Sequence, residues 1–183
     1  PGSSQVVHYW LAVGDSQVRL EKMHELMLGN GFNERLEATL THWHDWLKPA
    51  ESKLQGMPDN YKNAVKKSLM LIKSHTDEHG GIIASCDSSI YNYGRDYYSY
   101  VWPRDGAYVM WPLIKLGYTH EPKMFFEFCR SIIHEDGYLM HKYQPDRAIG
   151  STWHPLLHNN RKELAIQEDE TAIVIFMLGE YLS

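Results

Sequence analysis

Acidic residues are concentrated just before an apolar segment near the end of the chain. Glu168, Asp169 and Glu170 follow Glu163 and precede residues 172–178, which carry no polar side chain. Such a segment is typical of a buried helix rather than a surface helix. Carboxylates at the mouth of a buried helix are costly, because desolvation disfavours their charged form. This placement indicates that at least one of them has a functional use, and our first hypothesis for that use is catalysis.

A second chemical group lies where a tyrosine-rich segment meets another apolar stretch. Trp102 and Pro103 precede Arg104 and Asp105 there. Arginine presents a planar fork of donors and aspartate a pair of acceptors, so the two together can hold neighbouring hydroxyls of a sugar ring. The alternative is structural: Arg104 and Asp105 would cap the following helix as a pair, with Asp105 near its N-terminus as caps prefer. The residues alone leave these two interpretations at even odds.

Aromatic residues make up 13% of the chain, with 12 Tyr and 6 Trp. Their rings combine an apolar face with a polar edge, which suits sugars, although filling a helical core is the commoner use. The 18 basic and 23 acidic residues give a net charge of -5. Nucleic acid is therefore not expected as a partner, because phosphate binding requires a basic face.

The periodicity of apolar residues predicts about six helices and almost no sheet. A single strand is predicted at residues 5–13, which are β-branched and aromatic and end at Gly14. Helices are predicted at residues 16–28, 33–47, 106–116 and 121–134, with two more beginning near Asp59 and Asp169. Helices that are apolar all round alternate with amphipathic ones, which suggests an inner layer covered by an outer layer. Residues 136–168 form a connection too long to be passive, so we expect it to be functional.

Other classes of site are not predicted. His42 and His44 lie two positions apart on a predicted helix, so they point in different directions and no metal site or cofactor is expected. Cys86 and Cys129 stand alone and suggest no disulfide scaffold. No apolar run has the length of a membrane span and the first residues lack a signal-peptide pattern, so no membrane association is expected and a cytoplasmic location is predicted.

Four motifs occur in an order and spacing that resemble a known enzyme family. They are WPRDGAY at residues 102–108, DGYL at 136–139, STWH at 151–154 and QEDETA at 167–172, and GIIAS at 81–85 adds to them. This set resembles the glucoamylase-like glycoside hydrolases of family 15, which include glucoamylases, glucodextranases and trehalases. The resemblance covers roughly residues 32–183.

The resemblance implies an all-α fold, an (α/α)6 barrel of which this chain holds about the first half. The predicted strand would then be the last strand of an N-terminal β-sandwich, within residues 1–14. Residues 15–31 would form a linker helix, and residues 32–183 the N-terminal part of the catalytic domain. The rest of the barrel, in the same chain or in a partner, is an expected partner of this part.

The resemblance also implies roles for individual residues. Arg104 and Asp105 would grip the terminal glucose of an oligosaccharide or disaccharide α-glucoside, with Tyr98 lining the same subsite. Trp102 and Trp153 are expected to line the pocket. Asp169 is counted among the residues that bind substrate, and its position also suits a helix cap. Glu170 would be the general acid of an inverting hydrolase that releases glucose from a non-reducing end.

A general acid must hold its proton near neutral pH, so the pKa of Glu170 is expected to be raised. Burial and the neighbouring carboxylates of Glu168, Asp169 and Glu163 would raise it, and they should outweigh the opposing helix dipole. Inversion also requires a second carboxylate ~6.5–9.5 Å away. The resemblance implies that this base lies well downstream of Glu170, in the half of the barrel that this chain lacks. Asp87 and Asp136 are only weak candidates for the catalytic base, because their position in predicted loops is the only observation that supports them.

Two rival functions stay open. A trehalase of the same family shares these motifs and differs in the group that is linked to the first glucose. A non-catalytic carbohydrate-binding or regulatory protein on the same fold would explain the missing second carboxylate. The apolar faces of residues 106–116 and 172–178 are expected to lack partners within this chain.

Overall fold

The computed structural model describes residues 2–87, 98–151, 157–158, 160–162 and 166–183. This part of the chain is mostly helical, as the predicted all-α class requires. Its helices are α1 (Gln17–Lys53), α2 (Asp59–Ser74), α3 (Pro103–Lys115), α4 (His120–Ile132) and α5 (Glu168–Leu182). Two short antiparallel strands, β1 (Leu157–His158) and β2 (Arg161–Lys162), lie between α4 and α5. The (α/α)6 barrel and the preceding sandwich strand stay predictions.

The chain divides into two compact units, Pro1–Lys48 and Pro49–Ser183. The predicted domain boundaries after residues 14 and 31 stay predictions. The second unit contains α2 to α5 and all the described residues for which a role in substrate binding or catalysis was predicted.

In the first unit, the structure assigns no strand to residues 5–13. A strand needs a neighbouring strand to accept and donate its ladder hydrogen bonds, and the described residues supply none beside this segment. Val7, Tyr9 and Leu11 are accordingly more than 80% exposed.

Helix α1 is longer than the two helices predicted for its residues. Gly31 has φ 77° and ψ 168°, so the helical geometry is interrupted there, close to the predicted end of the first helix. Helical structure resumes after Gly31 and continues past Pro49 to Lys53. The second of these helices was predicted to end at residue 47, before Pro49, because proline disfavours a helix interior; instead Pro49 lies inside the last turns.

The core of the second unit is formed where α3 contacts both α4 and α5. Gly106 allows the close approach of α3 and α4, because a Cβ atom built there would lie 2.4 Å from Cε2 of Phe125. The side chains buried in this core come from all three helices: Ala107, Met110, Leu113, Phe125, Phe128, Val174 and Met177. These contacts fix the first turns of α3 and α5, which carry most of the predicted site residues.

Helices α3 and α5 were predicted to be buried all round, and within the described residues they are not. Tyr108 and Trp111 of α3 are 50% and 44% exposed, and Ile175 and Phe176 of α5 are 61% and 58% exposed. Each helix therefore buries one face against the other and leaves an apolar face open. Such faces were expected to lack partners within this chain, and that expectation stays a prediction.

The segment before α3 is held by the connection that follows α4. Val101 and Tyr143 exchange two backbone hydrogen bonds of 2.8 Å each. The Tyr143 hydroxyl accepts a bond from the Met140 backbone N–H and lies 3.3 Å from the Ile132 carbonyl oxygen. The end of α4 and the connection that follows it thus fix the entry into α3.

Candidate functional site

The first turn of α3 presents Arg104 and Asp105. The helix begins at Pro103, whose fixed φ and missing N–H suit the first helical position. Trp102 precedes it as the N-cap residue and makes no side-chain cap hydrogen bond. Asp105 lies in the first turn of the helix rather than at its N-cap position, which Trp102 occupies.

The first turn of α5 lies against the first turn of α3. The backbone N–H of Arg104 donates a 2.6 Å hydrogen bond to Oε2 of Glu170. The N–H groups of a first helical turn have no acceptor within their own helix, and Glu170 supplies one from outside. Asp169 is likewise inside α5, whose N-cap is Gln167, and the suggestion that Asp169 caps the helix is therefore wrong.

The Arg104 guanidinium is surrounded by acceptors from both helices. Its Nη1 donates to Oε1 of Gln167 at 2.7 Å and lies 3.2 Å from Oδ2 of Asp169. The same Nη1 lies 3.2 Å from Oε1 of Glu170. Its Nη2 donates to Oδ2 of Asp105 at 2.9 Å. Four residues with a predicted role, Arg104, Asp105, Asp169 and Glu170, are thus brought together, and Gln167 joins them.

The exposure of these side chains differs sharply. Asp105 and Asp169 are about half exposed, at 54% and 53%, whereas the Arg104 side chain is 26% exposed. The outer part of the cluster therefore offers two carboxylates beside a guanidinium. Such an arrangement can accept and donate hydrogen bonds to adjacent hydroxyl groups of a ligand.

Glu170 lies at the inner side of the cluster, with a side chain that is 0% exposed. Burial raises the pKa of Glu170 to about 7, against the opposing effect of its hydrogen bond from the Arg104 backbone and of the guanidinium charge. The carboxylates of Asp105 and Asp169 raise it further. The predicted direction of the pKa shift and the predicted contributions of burial and of Asp169 are confirmed, whereas Glu163 lies outside the described residues. Asp105 contributes from another helix, however, which spacing along the sequence could not show.

The position of Glu170 also limits what it can touch. Its Oε1 is buried and accepts no well-directed hydrogen bond among the described residues, although Nη1 of Arg104 is close. A general acid must reach the leaving-group oxygen of its substrate. In this structure no part of the Glu170 side chain reaches the surface, so its role as general acid stays a prediction.

Of the two described aromatic residues beside the cluster that were predicted to line the pocket, one is exposed and the other is buried. Tyr98 is 44% exposed and stacks on Trp102 with 5.7 Å between ring centroids. Trp102 is 5% exposed, so it supports Tyr98 from below rather than offering a face of its own. Trp153, the other aromatic residue predicted to line the pocket, lies outside the described residues.

Two residues behind Trp102 have environments that the sequence did not reveal. Nε1 of Trp102 donates to Nε2 of His141 at 3.2 Å. The Lys142 ammonium lies 4.3 Å from the ring centroid of Tyr100 and 5.1 Å from that of Trp102, with the lysine side chain 1% exposed. Lysine is rarely buried without partners, and a pattern of residue types gave no signal that this one is buried.

A cavity of about 270 Å³ lies beside Asp105, and its lining is mostly aliphatic residues of α2, α3 and residues 82–84. Among the described residues, no group of three His, Cys, Asp or Glu side chains is arranged to hold a metal ion. None of the described helices combines the length and the apolar character of a membrane span.

Comparison with known proteins gives a family for this arrangement. The model of glycosyl hydrolases family 15 matches residues 59–152, just over half of the 183 residues. The matched region includes α2, α3 and α4, and with them Arg104 and Asp105. The carboxylates of α5 lie beyond its end.

One curated relative is an uncharacterized glycosyl hydrolase of Methanocaldococcus jannaschii. It is 37% identical to this chain over 78 residues, which are 43% of this chain and 12% of the relative. The chain thus matches only about an eighth of that protein's length. No solved structure matches the chain significantly.

Proposed function

Because the chain belongs to glycosyl hydrolases family 15, we propose that it contributes to an enzyme that releases glucose from the non-reducing end of α-glucosides, with inversion at the anomeric carbon. The substrates would be oligosaccharides or disaccharides, and the described residues would supply the subsite for the terminal glucose. The family supports glycoside hydrolysis in general. The exo-action, the glucose specificity and the inversion are our proposal.

The observation that carries the proposal is the pairing of Arg104 with Asp105. The guanidinium donates to Oδ2 of Asp105 at 2.9 Å, so a donor and an acceptor are held side by side at a half-exposed position. Neighbouring hydroxyls of a pyranose offer the complementary acceptor and donor. The exposed ring of Tyr98 stacks on Trp102, which precedes α3. From there it can cover an apolar face of the sugar.

A second candidate is a carbohydrate-binding protein without hydrolytic activity. It is favoured by the burial of Glu170, because an acid with no exposed surface cannot deliver a proton to a ligand. Asp136, one of the weak substitutes for the catalytic base, pairs instead with His134 at 3.3 Å. The two candidates share the sugar site and differ only in turnover.

The test measures glucose release by the full-length protein from maltose, isomaltose and trehalose, with the anomeric form of the product followed by proton NMR. β-Glucose released first from maltose would support the proposal, and trehalose as the preferred substrate would identify a trehalase. Binding of glucose without release from any of the three would select the non-catalytic alternative. No binding and no release would contradict both.

A further inference from the structure

We infer that Asn30 is a site of spontaneous covalent modification, where the side-chain amide is converted to a carboxylate through ring closure on the backbone nitrogen of Gly31. The two residues lie where α1 is interrupted, in the first compact unit. The reaction consumes only water and needs neither a ligand nor another protein. It is therefore independent of the proposed function and of the residues that would carry it.

The chemistry follows from the length of the asparagine side chain. The backbone nitrogen of the next residue can attack Cγ of asparagine, because the ring that results has five members and little strain. A bond forms between that nitrogen and Cγ, the nitrogen gives up its proton, and the side-chain nitrogen leaves as ammonia. Water then opens the cyclic imide at either carbonyl carbon. One opening gives aspartate, and the other gives isoaspartate, in which the backbone runs through the former side chain.

The residue after the asparagine decides how readily the ring closes, because a side chain there obstructs the attack and glycine has none. Asn30 is the one asparagine of the chain that glycine follows. A Cβ atom built at Gly31 would lie in open space, since apart from the adjacent residues and the helix backbone no described atom lies within 4 Å of it. Ring closure at this position therefore meets no steric obstacle from the described residues.

A regular helix protects asparagine from this reaction, because its dihedral angles and hydrogen bonds hold the next peptide nitrogen in place. Gly31 has φ 77° and ψ 168°, a combination that is almost confined to glycine. The helical path is broken there, so Asn30 lies at the end of a helical segment and not in a helix interior. Asn30 is also exposed. Because helix ends open locally at little cost in free energy, the geometry needed for attack is accessible in the folded protein.

Asn63 provides the contrasting case within the same chain. Like Asn30 it is exposed, but it lies inside α2 and is followed by Ala64. The two asparagines therefore differ in backbone geometry and in the residue that follows, while both are accessible to solvent. This makes Asn63 an internal reference for a protected asparagine.

The modification would act on contacts of the N-terminal segment, which touches α1 on both sides of the interruption. The rings of His8 and Phe32 stack with 4.2 Å between centroids, and those of Trp10 and His24 lie 5.7 Å apart. The conversion adds a negative charge at the C-terminal end of a helical segment, where the dipole is already negative. Isoaspartate also lengthens the backbone by one methylene. Both changes destabilise the helix end beside these contacts, so we expect the N-terminal segment to loosen.

The experiment follows the conversion in the full-length protein by peptide mapping with mass spectrometry, at a mildly alkaline pH that favours loss of the backbone proton. Labelling by a protein isoaspartyl methyltransferase identifies the rearranged product. The variants are Gly31→Ala and Asn30→Gln, whose longer side chain would have to close a six-membered ring. Asn33→Gln, beyond the interruption, is the matched control. Wild type is measured both folded and unfolded in guanidinium chloride.

In the folded protein, Asn30 should convert at least about tenfold faster than Asn63 and within about tenfold of its own rate in the unfolded chain, because a helix end opens easily. Gly31→Ala and Asn30→Gln should each slow the conversion, and Asn33→Gln should leave it unchanged. Protection of Asn30 by folding of about a hundredfold or more would overturn the inference, because such protection is that of a helix interior. Equal rates at Asn30 and Asn63 would also overturn it.

The comparison of folded with unfolded wild type decides the question even where Gly31→Ala fails to fold. A second readout tests the structural consequence. The converted protein carries an additional negative charge, so ion exchange separates it from the unconverted form. Amide hydrogen exchange in residues 24–32 should be faster in the converted form. Equal exchange in the two forms would contradict the predicted loosening of the N-terminal segment.

Discussion

A hydrogen bond of 2.6 Å from the backbone N–H of Arg104 to the carboxyl of Glu170 joins the N-termini of α3 and α5. Each N-terminus carries about half a positive charge from its dipole, and the Arg104 guanidinium adds a full one. Asp105 in the first turn of α3 and Asp169 in that of α5 offset this positive charge. The acidic cluster thus has an electrostatic function in the fold, in addition to any role toward a ligand.

Replacing Arg104 tests its contact with sugar. Arg104→Ala should weaken inhibition by D-glucose by about 10- to 100-fold, because a hydrogen bond to a charged group contributes roughly 1.5–3 kcal/mol. The inhibition constant measures this effect. Arg19→Ala is the matched control, since Arg19 pairs only with Asp15 among the described contacts and is 70% exposed. Equal inhibition constants for the two variants would show that Arg104 has a purely structural role.

The raised pKa of Glu170 predicts how stability depends on pH. The folded protein keeps this proton up to about pH 7, whereas the unfolded chain releases it near the ordinary value of 4.5. Between these values the folded state binds more protons, so the contribution of Glu170 to stability is lost as the pH rises. The total loss is ~3 kcal/mol, since one pKa unit corresponds to ~1.4 kcal/mol.

Urea unfolding at pH 5 and pH 8 measures this difference. The free energy of unfolding should fall more between the two pH values in wild type than in Glu170→Gln, which has no proton to lose. The control is Glu180→Gln, which removes another carboxylate of α5, one that pairs with Lys115. Its free energy of unfolding should fall between the two pH values as much as that of wild type. A larger fall in Glu170→Gln than in wild type would mean that the carboxyl is ionised in the folded protein at pH 5.

Tyr98 and Trp102 should separate binding from stability, although their rings are stacked. Tyr98→Ala should weaken glucose binding about tenfold with little effect on unfolding, because its ring is 44% exposed. Trp102→Ala should cost about 3–5 kcal/mol of stability, because the ring is buried and Nε1 donates to His141. Inhibition constants and thermal unfolding of both variants are the measurements. A large loss of stability in Tyr98→Ala would show that both rings are structural.

Gly106 should tolerate no side chain. Gly106→Ala places a Cβ atom 2.4 Å from Cε2 of Phe125, a buried ring, so we expect a loss of about 1–3 kcal/mol from overpacking. Gly179→Ala on α5 is the control, because nothing lies within 4 Å of a Cβ atom there. That control should gain about 0.5–1 kcal/mol, since alanine is the better helix former. Chemical denaturation compares the two, and equal stabilities would show that α3 and α4 can move apart.

The helices predicted most accurately from the sequence are those whose apolar residues form a clear stripe. The apolar spacing of Phe125, Phe128, Cys129 and Ile132 predicted α4, and the first three side chains are buried whereas Ile132 is partly exposed. The start of α2 near Asp59 was also correct, because the preceding Pro58 and the apolar stripe of the helix define it. These elements depend on local periodicity, which a single sequence contains.

Features that depend on distant partners were not predictable in the same way. The strand expected at residues 5–13 needs a neighbour that the described residues do not provide. Trp102 was expected to line the pocket and instead lies beneath Tyr98, because burial is decided by His141 and Lys142, about forty positions away. The four clustered site residues were identified by their motifs, yet the burial of Glu170 appears only once α3 and α5 are packed.

The bond between Arg104 and Glu170 also has a consequence for how the protein reaches its working state. It closes a loop of 66 residues, and the Gln167 bond closes one of 63. Closing such loops costs chain entropy, so we expect these bonds to form after the helices themselves. A peptide containing only α3 would carry the Arg104–Asp105 motif without its geometry. We therefore expect the arrangement of this pair to be acquired late in folding.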